Sequence, residues 1–458
     1  MRASTLLAFL LASVFGVFAA SFAASDPDLF WHLASGDRMI DDGRLLDRDV
    51  FSFTRAGSPY SVGQWLGQIV LALAFRALGW TGIDLLRGVL VGIAVFFLAR
   101  AVLRVQPHPG WAIAPILAAI LVTRPFWSDR PQLFTLALFP VFLDTLLASR
   151  ADAGARRLAV LPVLVALWAN LHGAFVLGIA LIAVFAIESQ LVRGALRRPL
   201  VLTLIASIGA GLLNPALGGA YVSAGTYASG PARFIVEERP PDLLSAFGLI
   251  FLALFGAALG LAFVRRDASR DLLWVGLIVP FTLLGLTVQR QLPYAAFVIA
   301  PFVALRAREV VTRGPVARVA PRVGAVLVAA LVLAAVALAA LVAPRGPDLA
   351  AYPVGSERLL TGAHTLGEYD WGGYLIRFAP GTPTFIDGRA RAGVLFVPDV
   401  LADFDDAVSL RPRYAQILER WDIRQVLLRP ERPLAVALRE MGWAVRGEVA
   451  GRWVLLSR

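Results

Sequence analysis

Apolar runs alternate with short polar loops along most of the chain, at 4–25, 62–79, 82–103, 110–123, 131–149, 158–169, 173–190, 199–214, 243–264, 271–288, 292–305 and 323–343. As a helix, such a run matches the ~30 Å hydrocarbon core of a bilayer. In lipid the backbone must satisfy its own hydrogen bonds, so internally bonded helices are the natural form. The pattern predicts an all-α polytopic membrane domain of about 11–13 spans over residues 1–344, containing a first outward loop at 26–60. The first run, following Arg2, reads as an uncleaved span rather than a signal peptide.

After Pro344 the runs give way to short alternations broken by turn residues, which predicts a small soluble α/β domain over 345–458. Within it Thr382–Ile386 reads as a strand, Pro398–Trp421 as helix, Gln425–Leu428 as a buried strand and Pro433–Met441 as helix. Trp443–Val449 and Arg452–Ser457 form a closing hairpin around Ala450-Gly451. This domain is expected to fold alone and to carry no catalytic residue.

Composition agrees with lipid as the main solvent: 58% of residues are hydrophobic, 16% are charged and the mean hydropathy is +0.71. The net charge of +11 rests on 43 basic residues, all arginine. Without lysine there is no Walker or Schiff-base lysine, and without cysteine no disulfide or thiolate metal site.

The arginines lie mostly in loops, which reads as membrane topology and not as a nucleic-acid footprint. Arg150, Arg156 and Arg157, then Arg193, Arg197 and Arg198, then Arg265, Arg266 and Arg270, then Arg306, Arg308, Arg313, Arg318 and Arg322 mark alternate loops as cytoplasmic. Residues 124–132, 170–173, 214–242, 289–291 and everything after 344 then face outward, in a bacterial inner membrane. Residues 26–60 are outside too if Arg2 is inside. Three crossings between 61 and 123 break this parity. Arg100 and Arg104 favour a cytoplasmic end for the third run, which leaves either a re-entrant or surface-lying segment near 61–79 or a missed crossing.

Candidate chemistry begins after the first run, in Asp26-Pro-Asp-Leu-Phe-Trp-His-Leu-Ala-Ser-Gly36. At helical spacing Asp28, His32 and Ser35 share one face and Leu29, Leu33 and Ile40 another, as in a helix lying on the membrane surface. Asp26 before Pro27 is a helix cap. A triad from Asp28, His32 and Ser35 would have neither a strained nucleophile turn nor an oxyanion hole. Asp26, Asp28, Asp37, Asp41 and Asp42 supply oxygens for a divalent metal, though the sequence does not require one.

The other outward loops add Arg124, Arg130, Gln132, Asn170, His172 and Arg290. Forked arginine donors suit a phosphate or diphosphate, and interfacial anchoring is the plainer role for the same side chains. For His172 the plainer role is a hydrogen bond between helices.

These stretches resemble a family. Asp26-Pro-Asp-x-x-Trp-His-Leu-x-x-Gly36, Asp49-Val-Phe-Ser-Phe-Thr54, Trp65-Leu66, Arg130-Pro-Gln-Leu-Phe-Thr135, Trp168-Ala-Asn-Leu-His-Gly173, Leu213-Asn-Pro215, Asp370-Trp-Gly-Gly-Tyr374 and Phe385-Ile-Asp-Gly-Arg389 are similar to bacterial polytopic membrane proteins related to the GT-C glycosyltransferases. The resemblance covers nearly the whole chain. It implies sugar transfer from a polyprenyl-phosphate carrier to an extracytoplasmic glycan, lipid or protein acceptor, with an acidic residue of the first outward loop, Asp26 or Asp28, as general base. His32, Arg124, Arg130, Gln132, Asn170, His172 and Arg290 would bind substrate. Relatives often carry His-Glu before Trp-Leu, where this chain has Gly63-Gln64, which bears on whether activity is retained. Two other classes compete: a transporter or flippase for a lipid-linked glycan, whose arginines bind phosphate without a base, and a non-catalytic envelope scaffold. A transporter is expected to carry charges or broken helices at mid-membrane, whereas the polar groups here collect at one rim.

Overall fold

The structure is a computed structural model describing residues 3–60, 63–226, 236–262, 268–310, 320–390, 395–396 and 398–458. Arg265, Arg266, Arg313 and Arg318 of the expected cytoplasmic loops lie outside the described residues. The helices are α1 (Ala3–Ala20), α2 (Pro27–Asp42), α3 (Trp65–Val105), α4 (Pro109–Thr123), α5 (Gln132–Asp152), α6 (Val160–Leu171), α7 (Val176–Leu191), α8 (Arg197–Ala210), α9 (Gly218–Thr226), α10 (Ala246–Ala262), α11 (Ala268–Thr287), α12 (Leu292–Val310) and α13 (Pro321–Val342). Beyond them come α14 (Gly372–Phe378), α15 (Asp399–Val408), α16 (Tyr414–Arg420) and α17 (Pro433–Glu440), with strands β1 (Thr365–Gly367), β2 (Gln425–Leu428), β3 (Ala444–Val449) and β4 (Trp453–Ser457). Each apolar run read from the sequence contains a helix, residues 62, 263 and 264 lying outside the described residues. Among the described residues six helices are long and apolar enough to cross a membrane, with α10 and α11 adding shorter apolar stretches. This is a multi-pass membrane protein.

The chain divides into two compact units, and each is assembled from two separated segments: Met1–Phe22 with Asp84–Pro344, and Ala23–Ile83 with Arg345–Arg458. α3 contributes to both. It breaks at Gly79, whose φ of 61° and ψ of −144° leave the helical region, a backbone state that glycine reaches without steric cost. The two runs expected at 62–79 and 82–103 are the two sides of this break.

In the first unit small residues bring α1 against α3. A Cβ on Gly16 would come 2.9 Å from the Gly88 carbonyl oxygen, so the two backbones meet as membrane helices with small interface residues do. Arg87 anchors the same junction. Its Nε donates to the Ala19 carbonyl at 2.9 Å, and the guanidinium pairs with Asp84 at 2.6 Å and with Asp129. The cation thereby satisfies carbonyls at the C-terminal end of α1 that have no partner within the helix. α13 lies beside α1, and its apolar face is largely exposed, as a lipid-facing helix requires.

Ion pairs gather where α3, α5, α7 and α12 end. Arg104 meets Asp144 at 2.8 Å, Arg150 meets Glu188 at 2.7 Å, and Arg306 meets Asp271. Arg308 donates to the Val105 carbonyl at 3.0 Å. These belong to the arginine sets assigned to cytoplasmic loops, and they share one end of the bundle. The opposite ends of α5 and α12, with the α6–α7 turn, hold Gln132, Arg290 and His172.

The second unit contains a four-stranded sheet ordered β1-β2-β4-β3, with β1 parallel to β2 and the other pairs antiparallel. The strand at Gln425–Leu428, the helix from Pro433 and the closing hairpin match expectation. Two expectations differ. The helix read over Pro398–Trp421 is two helices, because Leu410 takes φ 55° and Pro412 cannot continue the first. Thr382–Ile386 makes isolated parallel bridges through Thr384, to Ser52 and to Thr365, instead of a regular strand.

The segment 345–458 does not close its own core. Phe30 of α2 is fully buried among Tyr352, Trp371, Tyr374, Leu427 and Leu455. Phe53 N donates to the Thr384 carbonyl at 3.1 Å and Thr384 N to Phe51 at 3.0 Å. Residues 26–60, expected as a loop of the membrane domain, thus build the interior of this unit. The expectation that 345–458 folds alone is corrected accordingly.

Candidate functional site

Each unit holds part of the expected site. In the second, Asp26 caps α2 as read from the sequence: its Oδ1 accepts from Asp28 N at 2.9 Å, with Pro27 opening the helix. Asp28, in the first turn, accepts at Oδ1 from the Trp31 indole at 2.9 Å. Gly388 lies against this pair, where a Cβ would run into the Asp28 carboxylate and the Trp31 nitrogen. Gly373 likewise lies against the Pro27 carbonyl. Gly373 of Asp370-Trp-Gly-Gly-Tyr374 and Gly388 of Phe385-Ile-Asp-Gly-Arg389 therefore serve close approach to the start of α2.

The rest of α2 departs from a surface-lying helix. His32 and Ser35, expected on its polar face, are 2% and 0% exposed, as buried as Leu29 and Leu33. His32 Nδ1 lies 3.1 Å from Gln68 Nε2, so α2 is an internal helix packed on α14 and on the first half of α3. Asp37 meets Arg76 at 2.6 Å and Arg377 at 2.5 Å, Asp41 meets Arg76 at 2.7 Å, and Asp42 meets Arg38 at 2.7 Å. Of the carboxylates that offered oxygens to a metal, Asp37, Asp41 and Asp42 are thus held by arginines. Among the described residues no three His, Asp or Glu gather as a metal site.

In the first unit a cavity of about 240 Å³ is lined by Gln132, His172, Arg290, Gln291 and Tyr294, with apolar groups such as Leu284. It brings together Gln132, His172 and Arg290, three residues chosen from separate loops. Around it Arg130 pairs with Glu237, and Arg290 with Glu238 at 3.4 Å. Arg124 does not line the cavity. Its guanidinium lies 4.1 Å from the Phe22 ring centroid and 5.5 Å from that of Trp127, a cation–π position. Asn170 does not line it either, because its amide donates to the Ala166 carbonyl at 2.8 Å and the Leu213 carbonyl at 2.7 Å.

His172 sits at the turn between α6 and α7. Its Nδ1 lies 2.8 Å from Thr135 Oγ1 and accepts from Ala174 N at 3.3 Å. Thr135 Oγ1 in turn accepts from the Trp168 indole at 2.8 Å. Burial, with the charges of Arg290 and Arg130, pushes the imidazole pKa down to about 3. Asn214 donates to the Ala169 carbonyl at 2.7 Å. Arg130-Pro-Gln-Leu-Phe-Thr135, Trp168-Ala-Asn-Leu-His-Gly173 and Leu213-Asn-Pro215 are therefore one bonded cluster behind the cavity. The sequence offered Gln291 only as a loop position and did not single out Tyr294, since neither carries a charge or motif signal.

No family model and no curated protein sequence matches the chain. Solved structures do. Oligosaccharyltransferase AglB from Archaeoglobus fulgidus, in complex with an inhibitory peptide and a dolichol-phosphate, aligns over 93% of this chain and 69% of its own, with TM-score 0.59 and 13% identity. ArnT from Cupriavidus metallidurans in the apo state aligns over 99% of this chain and 97% of its own, with TM-score 0.52 and 15% identity. The likeness gives this chain the fold of these two solved structures, built here as helical membrane segments and a small mixed sheet.

Proposed function

We propose that this protein is a membrane glycosyltransferase that moves a sugar from a polyprenyl-phosphate carrier to an extracytoplasmic glycan, lipid or protein acceptor. The observation that carries the reading is Asp28, a carboxylate fixed by an indole donor at the head of α2 and backed by glycine, in a chain with this fold. Asp28 serves as general base. The acceptor hydroxyl oxygen attacks the anomeric carbon, its proton passes to the Asp28 carboxylate, and the bond from that carbon to the phosphate oxygen breaks with the electron pair leaving on the lipid phosphate. The carbon inverts. Asp26, whose carboxylate caps the helix, is the second candidate for the base. Arg124, held over aromatic rings and without a carboxylate partner among the described residues, suits the phosphate that leaves, and Gln132, His172 and Arg290 suit the polar groups of the donor.

The protein is assigned to a bacterial inner membrane with residues 345–458 extracytoplasmic. Residues 65–78 belong to that outward unit and do not cross, a reading supported by the pairing of Arg76 with Asp37 and Asp41. This leaves α1, the second part of α3 and α4 as the crossings before residues 124–132, and the parity closes.

The test is transfer from polyprenyl-phosphate sugars in membranes carrying single variants. A positioned base contributes roughly 10²–10⁴-fold, so Asp28→Asn should lose at least about 100-fold in rate with unchanged expression. Parent-level transfer by both Asp28→Asn and Asp26→Asn would remove the assignment.

A further inference from the structure

The cavity that gathers Gln132, His172 and Arg290 carries more information than its list of residues, because the hydrogen bonds behind His172 fix where its proton resides. The Trp168 indole can only donate, and it donates to Thr135 Oγ1 at 2.8 Å. The Ala174 amide can only donate, and it donates to His172 Nδ1 at 3.3 Å. Nδ1 is then an acceptor, and the Thr135 hydroxyl proton points to it across 2.8 Å. A neutral imidazole with Nδ1 as acceptor carries its hydrogen on Nε2.

The surroundings hold it neutral. Arg130, before α5, and Arg290, before α12, disfavour an imidazolium, and Tyr294 of α12 lines the same space. The two arginines are themselves met by Glu237 and Glu238. Beside them Gln291 Oε1 is buried without a hydrogen-bond partner in a residue that lines the cavity. The wall therefore offers a fixed N–H donor and an unused carbonyl acceptor, and the cations nearby are already paired. That set matches a group that both accepts and donates without carrying charge.

We propose that His172 is a fixed Nε2–H donor to the cavity, that Thr135 and Trp168 are the positioning residues that hold this tautomer, and that the cavity receives an uncharged hydroxylated ring of monosaccharide size. The identification of that ring with the transferred sugar rests on the glycosyltransferase reading. The tautomer and the preference for an uncharged ring do not. A proton-accepting or metal-binding His172 would need Nδ1 or Nε2 free of its hydrogen and accessible, which this arrangement denies to the neutral ring.

The test is ¹⁵N NMR of the full chain, labelled at histidine and held in lipid nanodiscs. Only four histidines are present, and His172→Gln identifies the signal by its loss. The expected signature is a bare Nδ1 and a protonated Nε2, unchanged between about pH 5 and 8 where an ordinary histidine titrates near 6.5. A protonated Nδ1, or titration at the ordinary value, overturns the proposal. Thr135→Val should keep the fold and yield mixed tautomers or a titrating ring; an unchanged signature overturns the positioning role. Methyl pentosides and hexosides should shift the His172 Nε2–H signal at concentrations where inorganic phosphate does not. The reverse order overturns the ligand class. A glycoside response in a chain that transfers no sugar from any polyprenyl-phosphate donor supports the cavity assignment while removing the transferase reading.

Discussion

Arg389 Nη1 donates to Asp49 Oδ1 at 2.5 Å across 340 positions of sequence, and neither side chain is exposed. The guanidinium also donates to Asp387 through Nε at 2.8 Å and Nη2 at 2.7 Å, with the Phe51 ring 4.9 Å from it. These two carboxylates hold the Arg389 pKa above its ordinary value against the opposing effect of burial. Two stretches that resemblance alone had marked, 49–54 and 385–389, are thus partners of each other.

Breaking this cluster should unfold the second unit, and with it the seat of Asp28 beside Gly388. Removing one member of a buried pair costs about 3–5 kcal/mol, because the remaining charge is stranded. Arg389→Leu and Asp49→Ala should each lower the thermal midpoint sharply and sensitise residues 345–458 to protease. The double variant should recover part of the loss, and simple additivity would show that the pair is not coupled.

Residues 345–458 expressed alone should aggregate, because they lack Phe30 and the 49–54 segment. Addition of residues 23–83, linked or as a second chain, should yield a monodisperse species by size exclusion. A well-folded 345–458 fragment would contradict the shared core described above.

Orientation can be read by single cysteines, since the chain has none of its own. Ser58→Cys and Gly381→Cys should react with an impermeant maleimide added to intact cells. Arg156→Cys and Arg193→Cys should react only after permeabilisation. Labelling of Ser58 and Gly381 from opposite sides would place a crossing between them that the proposed topology does not have.

Trp31→Phe should remove the indole donor to Asp28 while keeping the ring. The expected result is a fall in transfer rate of roughly 10-fold, smaller than for Asp28→Asn because a general base itself contributes 10²–10⁴-fold. Equal rates for Trp31→Phe and parent would show that the 2.9 Å contact does not orient the base.

The helices were legible because each apolar run is a local signal, and even the break in α3 is marked by Gly79-Trp80 between two runs. Gln425–Leu428 and the closing hairpin were legible for the same reason. What sequence concealed is carried by distant pairs. Asp49 with Arg389, and Phe53 with Thr384, leave no trace within any window of the chain, so 26–60 read as a loop and 345–458 as self-sufficient. His32 and Ser35 looked like a polar face because helical periodicity cannot reveal that Gln68 waits on the other side. At the cavity, Gln132, His172 and Arg290 were found through their loops. Asn170 was named on the same grounds, yet its amide serves the backbone.

The interleaving of the two units sets an order of events during synthesis. Residues 23–83 emerge early, with Phe30 and Asp49 built for partners that the ribosome reaches only after Pro344. At ~5–20 residues per second the wait is on the order of tens of seconds, during which an apolar ring and a carboxylate meant for burial face water. With these residues outward, as proposed above, depletion of extracytoplasmic holdase chaperones should lower the yield of this protein, and a stop codon after Pro344 should leave a membrane-inserted chain whose residues 23–83 are rapidly degraded.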